Sequence, residues 1–167
     1  MSRSKQKQEN KEYILNKLSP EYVSIYRIEL NSGRYEILRL SDNTNAKEIV
    51  GDDSKTYATF DEFAKQYAEN FILEEDKAEF LDWLACRNMK TKLRKEEKIT
   101  YHYQSVSKAG IDRFYEAYAV KGYIDDDEFN IFLAFRNVDS ILYKEKAIQE
   151  RLENALEEAQ LRNEIIS

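Results

Sequence analysis

Apolar residues change their spacing several times along this chain, and each change marks an element. Tyr13, Ile14, Leu15 and Leu18 close a charged segment, and Ser19-Pro20 stops the pattern, which predicts a short amphipathic helix over residues 5–18. Tyr22 to Leu30 and Arg34 to Ser41 flank Asn31-Ser32-Gly33 and read as a β-hairpin with glycine at the turn. The polar stretch Ser41 to Tyr57 reads as the longest loop. Thr59-Phe60-Asp61-Glu62 has capping-box spacing, a threonine to cap and a glutamate three residues on to return the bond, and opens a helix through Phe63, Tyr67 and Phe71. A second helix is predicted from Glu75 to about Met89, with Phe80, Leu81, Trp83 and Leu84 inward.

The second half switches from a period of 3.6 to a period of 2. Ile99, Tyr101 and Tyr103 alternate with Thr100, His102 and Gln104, and Lys108-Ala109-Gly110 turns the chain. Arg113 to Tyr123 and Glu128 to Val138 complete a three-strand meander across the acidic turn Asp125-Asp126-Asp127. The last strand is apolar on both faces apart from Asn130, which predicts a central strand covered on both sides. Asp139 is then expected to cap a long helix. Within it Ile141, Ile148, Leu152, Ala155, Ala159 and Ile166 recur in steps of three and four, with polar gaps at Glu145 and Arg162, which is the seam of a short two-stranded coiled coil.

Composition narrows the function. At 167 residues the chain supports one core, read as an N-terminal helix (1–20), a domain (21–138) and a C-terminal helix (139–167). A net charge of −6 lacks the basic face that a nucleic-acid partner requires. One cysteine, Cys86, excludes an internal disulfide and multi-cysteine zinc patterns, and fits a reducing compartment. No stretch approaches the length of a membrane span and the first residues are too polar for a signal peptide, so a cytoplasmic setting is expected, with no membrane insertion.

The order of two strands, a helical middle, three strands and a helix launched from an acidic residue resembles the PAS domain family from Glu21 to the C-terminus. The hairpin Ile25-Tyr26-Arg27-Ile28-Glu29-Leu30 with Gly33 and Tyr35-Glu36 looks like the opening strand pair of bacterial members. Phe71 to Phe80 is similar to the family's run of an apolar residue, an Asp and a Phe, with Leu-Glu in place of the usual proline-bearing pair. Phe135-Arg136-Asn137-Val138-Asp139 stands where the family's Asp-Ile-Thr motif falls and keeps it only approximately. The resemblance implies an α+β fold: a five-stranded antiparallel sheet with helices on one face, an N-terminal helix and a long C-terminal signalling helix. It also implies a homodimer through flanking helices and an output domain downstream, usually a histidine kinase or a GGDEF-type diguanylate cyclase.

His102, the one histidine, lies on the more polar side of its strand, where a haem would lack an apolar slot; a surface residue is expected. Cys86 lacks the neighbours of the flavin-adduct cysteine of light-sensing relatives and reads as a partly buried helix residue. The acidic turn lacks the spaced ligands of a calcium loop. No nucleophile or acid/base constellation suggests an enzyme, and no cofactor is expected. Tyr67, Phe71, Trp83, Tyr101, Tyr103, Tyr118, Ile131, Leu133 and Phe135 are the candidate lining of a small-molecule pocket, the bland alternative being a filled core. These readings lead to a non-enzymatic sensor module, with a ligand-free dimerisation or docking scaffold as the alternative.

Overall fold

The computed structural model describes residues 2–17, 20–42, 44–51, 57–107 and 109–166, without the side chains of Ile14, Asn16, Lys17, Ile165 and Ile166. Leu18, Ser19, Asn43, Asp52, Asp53, Ser54 and Lys108, which figure in the predicted helix end, loop and turn, lie outside the described residues. Two units are distinguished, residues 1–137 and 138–167.

The first unit runs α1 (Arg3–Lys17), β1 (Tyr22–Glu29), β2 (Tyr35–Leu40), α2 (Asn45–Val50), α3 (Phe60–Phe71), α4 (Lys77–Leu84), α5 (Cys86–Lys95), β3 (Lys98–Val106), β4 (Asp112–Ile124) and β5 (Phe129–Asn137). The strands form one antiparallel sheet in the order β2-β1-β5-β4-β3. The doubly apolar β5 takes the centre, as expected, and its first seven residues are buried. Its alternation serves two layers. Ile131, Leu133 and Phe135 join Tyr26, Ile28, Ala117 and Ala119 in the core under the helices, and Leu133 pairs with both Tyr26 and Ala119. The residues between them face the other side of the sheet.

The hairpin turns where glycine was expected. Gly33 has φ +79°, its N–H donates to the Glu29 carbonyl at 2.8 Å, and a side chain there would meet Thr59 at 3.2 Å. Thr59 in turn caps α3, its hydroxyl accepting the Glu62 N–H at 3.2 Å. The return bond goes from the Ala58 N–H to Glu62 at 3.2 Å, one residue before the expected partner. Phe60, Phe63, Ala64, Tyr67, Ala68 and Phe71 give α3 its buried stripe.

The helical middle departs from expectation at two places. Part of the predicted loop is α2, capped by Thr44, which accepts the Lys47 N–H at 3.2 Å. The predicted helix from Glu75 to Met89 is broken at Ala85, which is extended at ψ 129°. The break is stabilised from a distance: the Asp61 carboxylate on α3 accepts the Cys86 N–H at 3.1 Å, giving α5 a cap that its own sequence lacks.

Helices α3 to α5 cover one face of the sheet, and α1 crosses the other. A Cβ on Gly122 of β4 would lie 2.7 Å from the Phe132 ring and 3.0 Å from the Asn10 amide oxygen of α1. Arg3, Lys7 and Lys11, spaced one turn apart on α1, point toward acidic partners. Arg3 pairs with Asp125 at 2.7 Å, Lys7 with Glu128, and Lys11 with Glu36 at 2.8 Å. The acidic turn is therefore matched by α1, and Asp125 also accepts the N–H groups of Asp127 and Glu128, both at 2.8 Å.

The second unit is α6 (Asp139–Ile166). The Val138 carbonyl accepts the Leu142 N–H at 3.0 Å, so Asp139 occupies the first turn of the helix, one position later than a cap. A carboxylate there still complements the helix dipole.

Candidate functional site

A half-enclosed cavity lies between the sheet and α2 to α4. Its walls come from Val23, Ser24 and Tyr26 of β1, Thr44 to Ala46 at the start of α2, Phe60, Phe63, Ala64 and Tyr67 of α3, Phe80 and Leu84 of α4, and Tyr103, Tyr115 and Phe135 of the far strands. The capped start of α2 brings Asn45 to the sheet, where its amide donates to Ser105 at 3.3 Å across a buried contact. The free volume is about 30 Å³.

Aromatic rings make the walls stiff. Tyr26 lies edge-on to Phe135, with centroids 5.8 Å apart, and Tyr67 stacks on Phe80 at 5.6 Å. Tyr103 meets Phe80 at 5.0 Å and Phe135 at 6.2 Å. Such offset and edge contacts add directional preference to burial. Burial raises the pKa of the Tyr67 hydroxyl against the opposing pull of Tyr103, Asn45 and Ser105. The same desolvation raises Tyr103 well above the tyrosine range and raises Tyr26 against Ser24. These phenols stay neutral hydrogen-bonding groups.

Of the nine pocket candidates, Tyr67, Tyr103 and Phe135 line the cavity. Phe71 packs on Tyr67 at 5.3 Å, and Trp83 stacks on Tyr101 at 5.2 Å with Lys92 over its ring. Ile131 and Leu133 are buried core residues. Tyr118 does not face the pocket: Ala117 and Ala119 are the inward residues of β4, and Tyr118 packs on the opposite face against Tyr22 at 6.5 Å. The other lining residues, Ser24, Asn45 and Tyr115 among them, were not candidates from the sequence. The Asn45 signal was the Thr44 cap, which puts Asn45 in the first turn of a helix.

The two other candidates have ordinary partners. The exposed His102 ring makes a 2.9 Å contact with Glu116, which also accepts from Arg136 at 3.0 Å. Burial and the neighbouring Asp61 carboxylate push the buried Cys86 thiol up to about 12. At pH 8 a thiol reagent is therefore expected to label Cys86 in the folded chain at least ~100-fold more slowly than in the denatured chain. Equal rates would show that Cys86 is not held in this environment.

No helix among the described residues is long and apolar enough to cross a membrane. No protein-family model matches the sequence, and no curated protein matches it. Among solved structures, the chain is similar to a sensory box histidine kinase/response regulator from Burkholderia thailandensis E264, at 14% identity and a TM-score of 0.46, over 80% of this chain and 90% of that one. It is also similar to the PAS domain of BvgS from Bordetella pertussis, at 16% identity and a TM-score of 0.44, over 86% and 98% of the two chains. The PAS domain of an HTR-like protein from Haloarcula marismortui aligns at 15% identity and a TM-score of 0.37, over 81% and 97%. The five antiparallel strands in the order β2-β1-β5-β4-β3, with the helical middle laid over one face, make this a PAS-like fold.

Proposed function

We propose that the chain is a non-enzymatic regulatory module: a PAS-like sensor domain that forms a homodimer through its terminal helices. It relays a signal along α6 to a histidine kinase or a diguanylate cyclase. The observation that carries this reading is the apolar stripe of α6. Ile141, Ile148 and Leu152 are exposed on the single chain, Leu152 by 60%. Leu156 joins them, only ~60° from Ile141 around a helix that turns ~100° per residue. An apolar line of this length on a 28-residue helix is the signature of a seam awaiting a second helix. Ile166, the last seam position, has its side chain outside the described residues.

The polar gaps suit a switch. Arg162 is 3.9 Å from Glu158 of its own helix, and Glu145 would sit in the seam unpaired with apolar neighbours. Such positions lower the stability of one register and leave a second within reach, so a modest bias from the sensor domain moves the balance. Leu152→Asp or Ile148→Asp is expected to turn a sedimenting dimer into a monomer without changing the melting of the sheet domain. A dimer that survives both substitutions would place the interface elsewhere.

A second reading, a ligand-free dimerisation or docking scaffold, draws support from the small cavity volume. Binding of a small molecule inside the cavity separates the two.

A further inference from the structure

The cavity can be assigned a ligand charge from its walls, and this deepens the sensor reading above and rests on it. Among the described residues, none of the fifteen that line it is Asp, Glu, Lys, Arg or His. Eight are aromatic, and the polar ones are Ser24, Thr44 and Asn45 together with the tyrosine hydroxyls. A charged ligand entering here would lose its hydration and find no counter-ion among the described walls, a cost that the few side-chain hydroxyls and the one side-chain amide there do not offset. A neutral ligand faces no such cost. Its polar end would meet a cluster already assembled from three elements: Asn45 of α2, Tyr67 of α3 and Tyr103 of β3, backed by Ser105.

The volume sets the size. About 30 Å³ of free space corresponds to about two waters, since one water requires roughly 10–15 Å³ in this measure. A group of a few heavy atoms therefore enters without repacking the rings, whereas an aromatic ring or a nucleotide base does not.

We infer that this cavity binds a small uncharged molecule bearing an amide or hydroxyl group, which meets Asn45 and Tyr67, and that it excludes carboxylates, ammonium ions and phosphates. The test uses three probes of nearly identical shape and different charge: acetamide, acetate and acetamidinium. Each is titrated into the intact chain while the backbone amide resonances of Ser24, Asn45 and Ala64 are followed. Acetamide is expected to give a saturable shift at all three positions, at a concentration at least ~10-fold below any response to the two ions. Ala64→Val, which fills the cavity from α3, is expected to abolish that shift while keeping a wild-type melting profile. Asn45→Leu is expected to weaken it and to leave the fold readable by the same spectrum.

Saturable binding of either ion at these residues, as strong as that of acetamide, would overturn the inference and leave the sensor reading standing. No response to any probe would overturn it in favour of a filled core. The pairing of α6 is measured separately by sedimentation, so a failure of the ligand class and a failure of the signalling helix are told apart.

Discussion

Glu29→Ala will lower the melting temperature more than any substitution of an exposed charge on this chain. Glu29 is only 4% exposed, yet it ends β1 as a carboxylate with three backbone donors around it. Its oxygens accept the N–H of Asn31 at 3.0 Å, of Ser32 at 2.8 Å and, across the sheet, of Phe129 at 2.8 Å. One side chain thus closes the first hairpin and fixes the entry of the central strand. Removing it leaves these donors without an acceptor, a loss of about 3 kcal/mol at roughly 1 kcal/mol each. For a domain of this size that is roughly 6–12 °C in melting temperature. Glu29→Gln should fall between, because the oxygen it keeps can still serve part of the turn. Burial alone would raise the Glu29 pKa, but the N–H groups of Phe129, Asn31 and Ser32 outweigh it and hold the carboxyl below its ordinary value. A group more acidic folded than unfolded contributes stability at neutral pH, and loses it as pH falls below the ordinary carboxylate range toward the lowered folded value. The gap between wild type and Glu29→Ala should therefore narrow on acidification. A gap that is constant with pH would show that the carboxylate charge plays no part.

Gly122→Ala is expected to cost about 1–3 kcal/mol through overpacking alone, read as a lower denaturant midpoint with an unchanged slope. The new methyl would lie 2.7 Å from the Phe132 ring, 3.2 Å from the Asn130 carbonyl and 3.0 Å from the Asn10 side chain. Phe132 is 1% exposed and the Asn130 carbonyl belongs to the central strand, so neither has room to retreat. The element free to move is α1, held largely by Arg3, Lys7 and Lys11 against Asp125, Glu128 and Glu36. Surface ion pairs of this kind are individually weak and are screened by salt. Trypsin should therefore cut after Lys7 and Lys11 faster in Gly122→Ala than in wild type, and faster still at high ionic strength. Unchanged cleavage together with an unchanged midpoint would mean that α1 does not rest on β4.

The parts of this fold that could be read from the sequence are those governed by local periodicity. The central place of β5 followed from apolar residues on both faces of one short run, because only a covered strand tolerates that composition. Thr59 announced α3 through its own side chain. The parts that could not be read depend on residues distant in the chain. The break at Ala85 has no glycine or proline to mark it, since the cap of α5 comes from Asp61, 25 positions earlier. Helix α2 is six residues long and is stabilised by Thr44 and by contact with Ser105. Tyr118 was placed among the inward side chains of its strand, while the register of β4 gives the inward positions to the small Ala117 and Ala119. Of the polar end of the cavity, Tyr67 and Tyr103 were visible in the sequence as aromatic candidates, but Asn45, which joins them from α2, was not.

A native mass spectrum of the intact chain decides whether α6 pairs, because it reports subunit number and any retained small molecule together. The expected species is a dimer that becomes a monomer with Leu152→Asp, and any retained mass should be a small neutral compound lost with Ala64→Val. A monomer at every concentration, or a dimer unmoved by Leu152→Asp, would contradict the pairing of α6 on which the signalling role depends.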